Sequence, residues 1–386
     1  MTLRFSAAVV AILLTGAAQA KVDGTIYASQ GLAYTTDGYN IADREELESE
    51  FRELALNFNW RASPRWRVAG QGTWRQLGNL SDEDPAIDYL FAQYRYPVSN
   101  GQLNVLAGRY KSPIGWYNAS RDSLFSRPSI LLPNLYQEWN RDAVLRRDGL
   151  QIEGLHYFGE QSLNWNIGYG ELDLSDNFDE NVAGTTDGID SDSDGALMIT
   201  AEWYSQPWLQ LKYTYSDSRL TIRNSNFFTT FGLPSLDYKG IRHLFSFRSE
   251  MGQWELVSEI DFQEFDIDYV DLGLSQSTDA ISAYLQLRYL FSNEWQFISR
   301  YDEYYPDSDD RDGDNVAPPG RPFSAFTKTF TLGASWQFSN DWQLAAEWQN
   351  INGTANQPAR VRNLDDQDKV NNLFMLQLAY RWNWSL

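Results

Sequence analysis

Cysteine is absent from all 386 residues. No disulfide can staple the chain, and no Cys/His metal pattern can form. Histidine is scarce as well, with only His156 and His243. Without a G-x-S-x-G turn to carry a nucleophile, a Ser–His–Asp hydrolase has little to be built from. Phosphate-cradling glycine motifs are missing too. No cofactor and no metal ligand set is expected, and the chain does not read as an enzyme. No apolar run reaches the ~18 residues that a membrane helix needs. Basic residues are outnumbered, 31 Lys+Arg against 52 Asp+Glu, for a net charge of −21. So acidic a chain has no footprint for the phosphates of nucleic acid.

What is present starts with an export signal. Arg4 precedes an apolar run from Ala7 to Leu14, and Ala18-Gln19-Ala20 forms a small-residue cleavage site. Residues 1–20 therefore read as a signal peptide. Residues 21–386 read as one domain, whose first strand, Val22 to Tyr34, leaves no room for an N-terminal plug. Aromatic residues are abundant: 15 Trp, 22 Tyr and 21 Phe. Membrane β-barrels gather such rings into girdles at both interfaces and hide their apolar signal in alternation. A closed, hydrogen-bonded barrel also explains how an exported chain holds together without disulfides.

The alternation is clearest at the C-terminus. Phe374, Leu376, Leu378, Tyr380, Trp382, Trp384 and Leu386 are separated by Met375, Gln377, Ala379, Arg381, Asn383 and Ser385. Side chains alternate faces along a strand, so one face is wholly apolar and the other mostly polar. Leu54, Leu56, Phe58 and Trp60 repeat the pattern, as do Trp66, Val68 and Trp74, and then Leu332, Ala334, Trp336 and Phe338. An apolar face toward lipid puts the polar face on a wet interior.

Short turns rich in Gly, Pro, Asn, Asp and Ser punctuate these runs. Examples are Ser63-Pro64-Arg65-Trp66, Ser205-Gln206-Pro207-Trp208, Ser292-Asn293-Glu294-Trp295 and Ser339-Asn340-Asp341-Trp342. Seven short turns alternate with eight longer connections, near 35–49, 78–86, 111–148, 174–195, 219–240, 269–278, 306–323 and 354–370. The expected fold is all-β: a transmembrane antiparallel up-and-down barrel of sixteen strands. Short turns would face the periplasm and long loops the outside. Sixteen strands enclose an aqueous channel rather than a filled core.

The third connection stands apart. Residues 61–147, which contain most of it, hold 12 basic and 7 acidic residues, a net of +5 in an otherwise acidic chain. The stretch Gly108-Arg109-Tyr110-Lys111-Ser112-Pro113-Ile114-Gly115 resembles the strand end and loop start of Gram-negative porins related to the phosphate-selective O and P type. Tyr117-Asn118, Arg121-Asp122, Phe125-Ser126-Arg127-Pro128-Ser129-Ile130 and Leu132-Pro133 resemble an uncharacterised proteobacterial porin-like family. The specific likeness covers about forty residues and implies passive diffusion of small hydrophilic solutes or ions, with the third loop folded inward as the constriction. It also implies an outer-membrane location, contact with lipid and lipopolysaccharide, insertion by the barrel assembly machinery, and often a homotrimer. The chain departs from the usual aromatic final residue, ending at Leu386.

Candidate constriction residues are Arg109, Lys111, Arg121, Asp122, Arg127, Glu138, Arg141 and Asp142. Arg67, Arg75 and Arg95, on the polar parity of early strands, would extend a basic strip along the wall. Opposed charges at a wet constriction set a field that orients polar solutes. The plainer reading is that the loop's charges pair with one another and only staple it. Asp190-Ser191-Asp192-Ser193-Asp194-Gly195 copies half of a calcium loop, but Ala201 stands where the bidentate Glu belongs. A solvated loop tip is the reading favoured there, and also for Asp307, Asp309, Asp310, Asp312 and Asp314 beside Pro318-Pro319-Gly320. Such acidic loops could also hold divalent cations that bridge lipopolysaccharide phosphates. Two alternatives to a channel stay open: a closed barrel serving adhesion or envelope structure, and an outer-membrane hydrolase using His156 or His243.

Overall fold

The computed structural model describes residues 21–37, 41–80, 85–206, 208–230, 232–315, 320–361 and 368–386. The signal peptide expected at 1–20 lies outside them, as do Pro207 and Pro318-Pro319. Sixteen strands are found among the described residues. The first eight are β1 Lys21–Thr35, β2 Leu47–Arg61, β3 Trp66–Leu77, β4 Pro85–Val98, β5 Gly101–Lys111, β6 Arg146–Phe158, β7 Gln161–Leu172 and β8 Ile189–Gln206. The others are β9 Leu209–Asn224, β10 Leu236–Met251, β11 Trp254–Tyr269, β12 Leu274–Leu290, β13 Trp295–Tyr305, β14 Thr327–Trp336, β15 Trp342–Asn352 and β16 Val370–Ser385. Each pairs antiparallel with its sequence neighbours, and β1 pairs with β16 to close the barrel. Closure leaves no sheet edge with unpaired backbone groups, which a bilayer would not tolerate.

The alternation rule holds at β16. Phe374 is 46% exposed and Leu376 44%, while Gln377 between its neighbours is 0% exposed. Leu54, Leu56, Trp66, Leu332 and Trp336 likewise point outward. A belt of rings runs along β11 to β16 near the short turns. Trp254 stacks toward Tyr289, Trp295 lies 5.3 Å from Trp336, and Trp342 lies 4.8 Å from Tyr380. Amphipathic rings favour such an interface between lipid and water.

Three of the short turns share one device. Ser63, Ser292 and Ser339 each accept backbone N–H bonds on Oγ from the residues two and three ahead, the latter always a Trp. The Ser hydroxyl mimics a backbone turn and sets the next strand's first aromatic at the membrane edge.

Strand length is uneven. β13, β14 and β15 have 11, 10 and 11 residues, close to the ~9–11 that cross a bilayer. β8 to β12 have 18, 16, 16, 16 and 17 residues and project beyond it. This shortens three of the expected loops, to 173–188, 225–235 and 270–273. The run Asp190–Asp194 is therefore not a loop tip. It belongs to β8, where Asp190, Asp192 and Asp194 are exposed along the outer face and do not converge on a cation. Across the projecting sheet, Arg223 pairs with Asp237 at 2.6 Å.

Candidate functional site: the lumen and its inward loop

Between β5 and β6 the chain runs from Ser112 to Leu145 through four short 3-10 turns and the helix Arg141–Leu145. It folds into the barrel rather than away from it. Fixing such a segment costs about 1–2 kcal/mol per residue in backbone entropy, so strong anchors are needed. They come from two apolar clusters. At one end Ile114, Tyr117, Leu132, Leu135 and Tyr136 pack on Met198, Leu244, Val257 and Tyr284 of the wall. At the other, Leu124 and Ile130 pack on Phe51, Ala345, Leu373 and Met375.

Buried wall polars then pin the loop backbone. Glu259 of β11 is 0% exposed and accepts bonds from Trp116 N–H at 3.0 Å, Tyr136 Oη at 2.5 Å, Tyr284 Oη at 2.8 Å and Ser246 Oγ at 2.5 Å. Gly115 lies alongside with φ +52°, where a Cβ would collide with Tyr136 Oη and Glu259. Lys212 of β9 donates to the Gly115 carbonyl at 2.6 Å. Glu347 of β15 accepts from Ile130 N–H at 2.7 Å, and Asp302 of β13 from Asn134 N–H at 3.0 Å. Arg300, paired with Asp302, donates to Ser129 Oγ at 2.8 Å and the Leu131 carbonyl at 3.2 Å. The loop is thus a strap tied to opposite walls.

The expected constriction charges gather where the strap meets β2 to β6. Arg121 pairs with Glu138 at 2.7 Å, Glu138 with Arg75 at 2.5 Å, Arg75 with Glu53 at 2.8 Å and Glu53 with Arg127 at 2.9 Å. Asp122 is held by Lys111 and Arg141 and by Gln71 Nε2 at 3.1 Å. Arg146 bridges Asp88 and Asp173 at 3.4 and 2.8 Å. These are alternating chains of charge, in which each charge faces its opposite. Arg121 and Arg127 are buried and serve as staples. Lys111, Glu138 and Arg141 keep partial exposure beside Arg75.

Arg109 is not brought into this group in the same way. It stands on the outward parity of β5 with Val105, bridging Asp148 at 2.6 Å and Asp173 at 2.8 Å at the outer rim. Asp142 lies in the short helix, and its side chain is outside the described residues. Burial pushes the Glu138 carboxyl up, but Arg121, Arg75 and Arg141 together hold it well below the ordinary carboxylate range.

The lumen holds open space on this side. A cavity of about 290 Å³ at the strap's outer edge is lined by Arg75, Asp88, Glu138, Arg141 and Arg146, and at its rim by Arg109 and Asp173. Toward the short turns, a cavity of about 580 Å³ is lined by Arg61, Arg65, Arg67 and Arg95 with Asn59 and Gln93, and by no carboxylate among the described residues. Arg67 donates to Asn59 at 2.6 Å and Gln93 at 3.2 Å. Arg95 is exposed on the inward parity of β4.

Sequence reasoning missed Glu53, Lys212, Glu259, Arg300, Asp302 and Glu347. Their signal was present as charged residues on the inward parity of strands, as with Glu255, Glu259 and Asp261 in β11. The two histidines lie elsewhere. His156 stacks on Trp165 and His243 meets Tyr213 Oη at 2.7 Å, both on the outward face of their strands. Asp310, from the second acidic run, caps its own loop by accepting the Asp314 and Asn315 N–H groups.

Closure, girdle and inward strap define the class of fold: a sixteen-stranded outer-membrane barrel of the porin type. Its architecture matches solved porins over nearly the whole chain. The anion-selective porin from Comamonas acidovorans aligns with a TM-score of 0.58 at 13% identity, over 94% of this chain and 99% of its own. The outer-membrane channel DcaP of Acinetobacter baumannii aligns at 0.60 and 12%, over 95% and 98%. OmpF of Salmonella typhi, solved with daunomycin, aligns at 0.58 and 11%, over 94% and 97%. At these identities the likeness is one of fold. No family model and no curated protein sequence matches the chain.

Proposed function

We propose that the protein is an outer-membrane channel for passive diffusion of small hydrophilic solutes or ions, narrowed by the strap Ser112–Leu145 and preferring anions. The observation that carries this reading is the one-sided placement of charge. The two cavities that follow β2 to β6 are lined by more arginines than carboxylates, whereas the cavity between the strap and β9 to β11 is mostly apolar. A solute passing there meets Arg75 and Arg141 beside Glu138, then Arg67, Arg95, Arg65 and Arg61. A wall with a net excess of cationic groups raises the local concentration of anions. No step of chemistry is required of the protein, and no catalytic role is assigned to it. Lipid and lipopolysaccharide surround the outward apolar face, and a homotrimer fits the proposal.

Purified protein in planar bilayers tests it. Ohmic conductance with a reversal potential favouring anions in a salt gradient is expected. Absence of conductance overturns the channel reading. A second reading has one observation in its favour: the strap reaches both walls and fills much of the lumen. A sealed structural barrel would conduct only once residues 118–140 are deleted, whereas a channel conducts before deletion and more afterwards.

A further inference from the structure

On the far side of the strap from the arginine-lined cavities lies a third cavity, of about 280 Å³. It sits in the outer half of the barrel, under the helix Asp176–Ala183, against the inner faces of β9 to β11. The registers of these strands stack it in rows. The deepest row is polar: Ser216 pairs with Arg242, and Arg242 with Gln263. Above it come Leu220, Tyr238 and Ile267 in one row and Ile222 with Leu236 in the next. Phe178 and Val182 of the helix close the top. A pocket with apolar walls and a few polar groups at one end is the usual form of a small-ligand site, and this one lies at the small end of the ~300–1,000 Å³ range.

The polar end carries an unbalanced charge. Arg242 is matched by Asp261 at 3.0 Å. Arg147, which also lines the cavity, is 1% exposed and has no carboxylate partner among the described residues. Its guanidinium donates to Ser112 Oγ and lies 3.8 Å from Met198 Sδ, while its Nε has no hydrogen-bond partner. Every other deeply buried arginine of the lumen that the strap touches, Arg121, Arg127 and Arg300, has its carboxylate. A buried cation without a counter-charge costs several kcal/mol, and an anion supplied from outside would recover that cost.

We propose that this cavity binds a small organic anion with an apolar body. Its carboxylate sits on Arg147, with Gln263 and Ser216 beside it, and its hydrocarbon or aromatic part lies among Phe178, Leu220, Leu236 and Ile267. The site deepens the channel reading by naming a solute class. It rests on that reading for passage across the membrane but not for binding.

Titration calorimetry on the folded, detergent-solubilised barrel tests it with benzoate as the probe. Saturable benzoate binding is expected, with benzyl alcohol and inorganic phosphate each weaker by at least about tenfold, the scale of one charge-assisted hydrogen bond or of one lost apolar contact set. Arg147→Gln should weaken benzoate by a similar factor. Phe178→Ala, in a loop helix that the barrel does not need for closure, should weaken it several-fold and keeps the test valid if Arg147→Gln fails to fold. Glu264→Ala, on the outward face of β11, should leave it unchanged. Equal binding of benzoate and benzyl alcohol, equal binding of phosphate, or indifference to Phe178→Ala overturns the proposal. Benzoate binding by a barrel that does not conduct would defeat the channel reading alone; conductance without benzoate binding would defeat this site alone.

Discussion

β3 and β11 stand eight strands apart in a ring of sixteen and so face each other across the lumen. Their inward faces are built oppositely. β3 places Arg67 on the inner-mouth cavity and Arg75 on the cavity beside the strap, with buried Gln71 between them. β11 presents Glu255, Glu259 and Asp261 at depth, all committed to protein partners, then Phe265 and Ile267 above them. Outward, the same upper part of β11 carries exposed Glu264, Asp266 and Asp268. The polarity of the strand has inverted where it leaves the bilayer. Alternation reports which face is wetter at each height, not which face is the lumen. One wall carries arginines beside open cavities, and the other is an anchorage below and an apolar pocket above.

The largest test of that contrast removes what divides the two walls. Deleting 118–140 should raise single-channel conductance several-fold, because the strap occupies the middle of a lumen that sixteen strands leave open. An unchanged conductance would mean that ions never passed beside the strap.

Next in size is the anchorage itself. Glu259→Ala strands the hydroxyls of Tyr136, Tyr284 and Ser246, at about 1–3 kcal/mol for each buried donor left unmatched. A clear loss of unfolding temperature, with a noisier open-channel current, is expected. Glu264→Ala, outward on the same strand, is the control and should alter neither.

A smaller effect probes the passage wall. Replacing Arg67 and Arg95 by Glu should move the reversal potential toward cations while unitary conductance stays within about twofold, since charge changes and bore does not. If the potential stays put, the arginine-lined cavity is off the ion path.

Smaller again is the acid response of the strap. The Glu138 carboxyl is held well below its ordinary value of 4.5. A depressed folded value contributes stability above the unfolded value and loses it as pH falls through the folded one. Current noise should therefore stay flat from neutrality down to about 4.5 and rise only in more acid solution; recordings across pH check this. Glu138→Gln should remove that acid-dependent component.

The least effect is expected on the projecting sheet. Arg223 and Asp237 are 46% and 50% exposed, and an open surface pair contributes about 0–1 kcal/mol. Arg223→Ala should leave the melting temperature nearly unchanged and the conductance untouched.

Much of this molecule was legible in advance because a barrel repeats one simple rule. Leu376 and Gln377, or Leu54 and Ala55, are sorted by parity alone, and the Ser-x-x-Trp runs at Ser63, Ser292 and Ser339 mark turns. Strand number followed from counting such signals. The three overlong loop assignments came from reading polar outward residues such as Asp190–Asp194 as solvated loop, when they were the wet face of strands that had outgrown the membrane. Pairing was not legible. Lys111, Asp122 and Arg141 are near in sequence, yet the ties that place the strap run from Ile130 to Glu347 and from Asn134 to Asp302, across gaps of 217 and 168 residues.

By itself the sequence determined the period-two faces, the tight turns, the closed antiparallel barrel and the concentration of basic residues around 61–147. These depend on local geometry and on the solvent each face meets, and both are written residue by residue. Only the tertiary structure decided which arginines became staples, which stayed exposed and which, as with Arg147, was buried without a carboxylate. That choice depends on where a loop's carboxylates land on a wall far away in the chain, and no local pattern encodes it.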